Sequence, residues 1–100
     1  MIESFGNRLA EELFCDRGSA ATRAFPGEFL PAARRKLLYL HDAAELKDLR
    51  IPQHNHLISL KERRGGFYAL RINGHWRLTF RFDRGTAWDV AVVRCHWEKP

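Results

Sequence analysis

Residues 66–82 read GFYALRINGHWRLTFRF, two apolar runs of period two meeting at Asn73-Gly74. Alternation of this kind fits a strand with one buried face, and Asn-Gly between two such runs is a strong signal for a two-residue hairpin turn. Tyr68, Leu70 and Ile72 then share one face of the first strand, with Arg71 on the other. In the second strand Trp76, Leu78, Phe80 and Phe82 share a face, leaving Arg77, Thr79 and Arg81 opposite. Any fold for this chain must cover the apolar face, and the arginines then gather on the open one.

The first half of the chain supplies the cover. Phe5, Leu9 and Leu13 recur at helical spacing around Glu11 and Glu12. Residues 16–28 (DRGSAATRAFPGE) collect Gly, Ser and Pro and read as a loop. Pro31 suits the first turn of a second helix, whose buried stripe is Leu30, Ala33, Leu37 and Leu40, with Arg34, Arg35 and Lys36 mostly off it. Residues 43–50 add one helical turn before Pro52. Strands are expected at about 57–61, 67–73, 75–82 and 86–96, the last two joined by a three-residue loop, Asp83-Arg84-Gly85. Helices first and a meander after predict an α+β fold. Two N-terminal helices pack on one face of a twisted antiparallel sheet, in one domain over residues 1–100.

Charge is unevenly spread. Residues 1–60 hold eight Lys/Arg and eight Asp/Glu, while residues 61–100 hold nine against four and supply the whole net charge of +5. A basic half on so small a chain favours a polyanionic partner, although a solvated, solubilising surface gives the same count. The opening Met1-Ile2-Glu3-Ser4 carries an acid and no long apolar run, so no signal peptide is expected. No stretch approaches the roughly 20 apolar residues of a membrane span, and a cytoplasmic protein is expected. Cys15 and Cys95 lie far apart and match no metal or redox spacing.

Guanidinium groups on neighbouring strands repel unless solvent screens them or an anion binds, and their planar donor fork suits phosphate. A wet sheet face shielded by arginine stems satisfies the same pattern, which therefore gives a basic groove and not yet a catalyst. His96 closes the last strand and is the candidate proton carrier near neutral pH. His54 and His56 are two apart but lack a third ligand at recognisable spacing. Cys95 and His96, as neighbours on a strand, face opposite ways and do not form a nucleophile pair. Trp76 and Trp88 alternate with the apolar set and read as core. There is no glycine-rich phosphate loop and no Ser-His-Asp set.

Leu60-Lys61, Gly66, Tyr68, Leu70-Arg71-Ile72-Asn73, Trp76-Arg77-Leu78, Phe80 and the late His96 together resemble the HigB branch of the RelE-type toxins of bacterial toxin–antitoxin pairs. The likeness extends to the opening Met1-Ile2-Glu3-Ser4-Phe5 and to Leu46-Lys47-Asp48-Leu49-Arg50-Ile51-Pro52. It implies a RelE-like fold and an endonuclease that cuts translated mRNA in the ribosomal A site, with the RNA 2′-hydroxyl as nucleophile and no metal or other cofactor. By position, Lys61 and Arg77 match the cationic groups beside the scissile phosphate, and His96 matches the histidine of the terminal tripeptide. Arg71, Arg81, Arg94 and Arg64 are the accompanying candidates for binding RNA. The resemblance further implies a HigA-like helix-turn-helix antitoxin, with operator DNA contacted only through the toxin–antitoxin complex, and no membrane partner.

Two departures stand out. Arg94-Cys95-His96 replaces the usual Asp-Tyr-His, which removes a carboxylate and an aromatic ring and sets a cation near His96, lowering its proton affinity. Ile58 stands where a family-like upstream histidine is usual. These changes keep two other readings open: a module that binds RNA or the ribosome without cutting, and an inactive homologue that retains only its antitoxin.

Overall fold

The computed structural model describes residues 1–15, 20–50, 56–60 and 66–94. Its sheet is four-stranded and antiparallel in the order β1-β2-β3-β4: Ile58–Ser59, Phe67–Arg71, Trp76–Asp83 and Thr86–Arg94. The helices are α1 (Arg8–Cys15), α2 (Ala20–Ala24) and α3 (Leu30–Asp42), with 3-10 turns at Gly27–Phe29 and Leu46–Arg50. The class is α+β, as expected, but three helices stand where two were. The extra one lies in the expected loop 16–28, where Ala20-Ala21-Thr22-Arg23-Ala24 offers three alanines, the best helix former, before Pro26.

The β2–β3 hairpin forms with a different turn. Leu70 faces Leu78, Tyr68 faces Phe80, Ala69 faces Thr79 and Arg71 faces Arg77. Such pairing requires an odd number of loop residues, so the connection is Asn73-Gly74-His75 and not Asn73-Gly74 alone. A two-residue turn would oppose Leu70 to Arg77 and mix the two faces; burial of the apolar set selects the longer loop. Asn73 holds it: its Oδ1 accepts the backbone N–H groups of His75 (2.7 Å) and Trp76 (3.0 Å). The β3–β4 loop errs the other way. Asp83 pairs with Thr86, leaving only Arg84-Gly85, both at positive φ (51° and 82°), the geometry of a type I′ turn.

In β4 the alternation breaks. Thr79 pairs with Ala91 and Arg81 with Trp88, so Phe80 alone opposes both Asp89 and Val90. Asp89 is the bulged residue, at φ 54°, a left-handed conformation that aspartate tolerates better than most side chains. The bulge lets Ala87 and then Val90 and Val92 all face the core. It also turns Trp88 outward, 36% exposed, correcting its assignment to the core.

The N-terminal segment runs parallel to β4 through bridges Ile2–Ala87 and Phe5–Val90 and covers its outer edge. Asn7 then starts α1 as its N-cap: Oδ1 accepts the Ala10 N–H at 3.0 Å, while Nδ2 donates to the Val92 carbonyl at 2.9 Å. One side chain thus caps the helix and fastens it to the sheet. Leu13 of α1, Phe25, and Ala33, Leu37 and Leu40 of α3 bury against Leu70, Leu78, Phe80, Val90 and Val92. Lys36, expected mostly off the stripe, is buried too, because 33, 36, 37 and 40 form one i, i+3, i+4, i+7 face. Burial and the neighbouring Arg35 charge lower its pKa from the usual 10.5. Among the described residues no helix is long and apolar enough to cross a membrane.

Candidate nucleic-acid interface

With the even-numbered side chains of β2 and β3 committed to the helices, register sorts the other face into three rows. Phe67, Arg81 and Trp88 form the first, Ala69, Thr79 and Ala91 the second, and Arg71, Arg77 and Val93 the third. Rows are two residues apart along a strand, roughly 7 Å. The middle row is built of small side chains, and above it lies an open cavity of about 460 Å³ lined by Gly6, Asn7, Phe67, Thr79, Asp89, Ala91 and Val93. The floor of the face is therefore a trough, with guanidinium groups in the rows on either side.

Arg71 and Arg77, half-buried, are direct cross-strand partners. Arg81, in the other row, is braced by a carboxylate: its Nε donates to Asp89 Oδ2 at 2.9 Å. Both side chains keep more than a third of their surface in solvent (41% and 47%), so the pair orients Arg81 more than it stabilises the fold. Asp89 is in turn fixed by the N-terminal segment. Its N–H donates to Ser4 Oγ at 2.8 Å. Gly6 passes so close that a Cβ there would stand 2.8 Å from the Asp89 carbonyl oxygen.

Arg94, expected with these cations, stands elsewhere. It pairs with Trp76, whose face belongs to the helices, and its guanidinium lies 5.5 Å from the centre of the Trp76 ring. Trp76 packs in turn edge-on against Phe25 at 4.8 Å. Adjacent positions on a strand face opposite ways, so an arginine one residue after Val93 cannot join the row of Arg71 and Arg77. Lys61, Arg64 and His96 lie outside the described residues, as do His54 and Cys95. His56 is exposed, and no cluster of three or more potential metal ligands occurs among the described residues.

Sequence reasoning missed Asp89, Ser4 and the outward turn of Trp88. One signal was present. The apolar positions of β4 change parity between Ala87 and Val90, and Asp89 sits at the change.

The sequence model of a family described as RelE-like toxin of type II toxin–antitoxin system HigB matches residues 3–94, nearly the whole chain. No curated protein resembles the chain closely enough to count as a match.

Proposed function

The chain belongs to the HigB-like family of RelE-like type II toxins, and from that premise we propose that it is a ribosome-dependent mRNA endonuclease that arrests translation and growth. A RelE-like toxin family generally implies mRNA cleavage, and a type II toxin implies an antitoxin. The observation that carries the reading is the Arg71–Arg77 pair beside a trough of small side chains. Two guanidinium groups side by side on a sheet present planar donor forks that one phosphate can answer together.

In the proposed reaction the RNA phosphate lies against Arg77, Arg71 and Lys61. A base takes the proton of the 2′-hydroxyl, whose oxygen attacks the adjacent phosphorus. The bond from phosphorus to the 5′-oxygen breaks, and that oxygen takes up a proton. The products are a 2′,3′-cyclic phosphate and a free 5′-hydroxyl. The cations stabilise charge as it builds on the phosphoryl oxygens, a contribution that reaches a few kcal/mol per donor in preorganised sites (about 3). His96 carries the proton, and Arg81 and Arg64 hold flanking RNA. The partners are the ribosome with its mRNA and a HigA-like antitoxin, through which operator DNA is reached, in the cytoplasm.

A second reading, RNA or ribosome binding without cleavage, draws on the chain's end. Arg94 stacks on Trp76 where the resemblance leads one to expect a carboxylate, so the terminal tripeptide offers His96 no acidic partner. Inducible expression separates the two. Under the enzyme reading growth stops, new mRNA 5′ ends appear inside reading frames, and Arg77→Ala or His96→Ala abolishes both effects. Growth arrest without new ends would leave the binding module. Unimpaired growth with no antitoxin present would remove the toxin reading itself.

A further inference from the structure

A second open cavity, of about 480 Å³, lies at the Arg84-Gly85 end of the sheet and is lined by Arg81, Phe82, Asp83 and Trp88. Register puts Arg81, Asp83 and Trp88 on one side of the sheet, since Arg81 opposes Trp88 and Asp83 opposes Thr86. The Arg81–Asp89 pair separates the two cavities, Asp89 lining the trough and Arg81 the second cavity. Among the described residues Asp83 makes a loose contact to Arg84 Nε at 3.9 Å, and the two side chains are 76% and 93% exposed.

Trp88 is the anomaly. A strand that simply alternated would bury it, and the bulge at Asp89 turns it out. Ser4, Gly6 and Arg81 all fix that bulge, which commits three positions to keeping an indole in solvent. Bulges recur beside functional sites because they re-aim a side chain, and a backbone outlier so firmly held points to use. An exposed indole is a stacking surface for any base, a carboxylate accepts N–H from a base's amino edge, and a guanidinium answers phosphate.

Resting on the reading of the chain as an RNA-cleaving toxin, we infer that this cavity is a nucleobase subsite. One unpaired base stacks on Trp88 and turns an amino-bearing edge to Asp83, while Arg81, held by Asp89, meets the backbone beside it. Arg81 lies four residues along β3 from Arg77, roughly 13 Å, so the base held here flanks the cleaved bond without being part of it. The subsite selects sequence context. Uracil, which lacks an amino group, is the base it accepts least.

The test is binding of homopolymeric A, C, G and U oligoribonucleotides to the purified full chain, followed by fluorescence anisotropy. Trp88→Ala weakens binding of all four by roughly 5- to 150-fold, and Trp88→Phe recovers most of the loss. Asp83→Asn lowers affinity for the amino-bearing oligomers by roughly 5- to 150-fold and leaves U unchanged. Lys47→Ala, on the 3-10 turn Leu46–Arg50, binds as wild type. Trp88→Ala binding as tightly as wild type overturns the subsite, as does a wild-type chain that binds none of the oligomers or prefers U. Growth arrest, read separately, keeps the two inferences apart. A toxic wild type whose Trp88→Ala variant binds normally ends the subsite and leaves the toxin reading standing. Base-selective binding by a non-toxic chain does the reverse.

Discussion

Arg71 and Arg77 stand directly opposite each other on β2 and β3, on the face left open by the helices. Opposed residues of an antiparallel pair have Cα atoms only about 4.5–5.5 Å apart, so their charges interact unless the side chains diverge. Arg71 does reach away: its Nη2 lies 4.0 Å from where a Cβ on Gly74 would stand, over the hairpin loop. The two guanidinium groups thus stand on neighbouring strands, where under the proposed reading one phosphate is met by both.

Arg71→Thr therefore weakens RNA binding. Loss of one phosphate contact lowers affinity and makes its salt dependence shallower, by about 1 in the slope of log K against log salt, read by titrating an RNA oligomer at several salt concentrations. Unchanged affinity with an unchanged slope would show that Arg71 does not meet the RNA backbone.

Deleting His75 leaves Asn73-Gly74 as a two-residue loop, with Ile72 still opposite Trp76 and Leu70 still opposite Leu78. The register is therefore kept, and Asn-Gly suits the shorter turn that results. What is lost is the hydrogen bond from the His75 N–H to Asn73 Oδ1, worth about 0.5–1.5 kcal/mol. Thermal unfolding should show a loss no larger than that. A loss of about 3 kcal/mol or more would show that the three-residue loop, and not the apolar pairing, sets the register.

Gly6→Ala places a Cβ 2.8 Å from the Asp89 carbonyl oxygen and 3.2 Å from its carbon, both backbone atoms. Relief requires the N-terminal segment or the bulge to move, at a cost of about 1–3 kcal/mol. The Asp89 N–H to Ser4 Oγ bond should weaken with it, detected as faster hydrogen exchange at the Asp89 amide. Unchanged exchange would show that the bulge stands without the segment.

Lys36 gives the pH dependence. Its pKa in the folded chain is lowered below 10.5 by burial first and the Arg35 charge second, whereas an unfolded lysine titrates near 10.5. Between the lowered value and 10.5 the unfolded chain holds more protons, so stability rises with pH through that window; below it the penalty is present in full. Lys36→Met removes this component and flattens the alkaline limb of stability against pH. The same rise in the variant would assign it to other groups.

Most of the fold was written in periodicity. The two faces of 67–82, the Leu37–Leu40 stripe and the α+β order follow from spacing alone, because apolar side chains at a regular period leave few ways to be buried. The sequence also set Arg71, Arg77 and Arg81 on the open face, and the HigB-like motifs that share those strands identify the family. What it left open was decided by contacts between distant residues. Asn73-Gly74 is a hairpin signal, yet the match of Leu70 to Leu78 across the sheet overrode it. Lys36 looked like surface until α3 was wedged against the sheet. Trp88 looked like core until Ser4 and Gly6, more than 80 residues away in sequence, held Asp89 in a left-handed turn. Local pattern fixes which side chains seek burial; register, bulges and the crossing of helices over strands are long-range packing choices, and those set which charges and rings reach the open face.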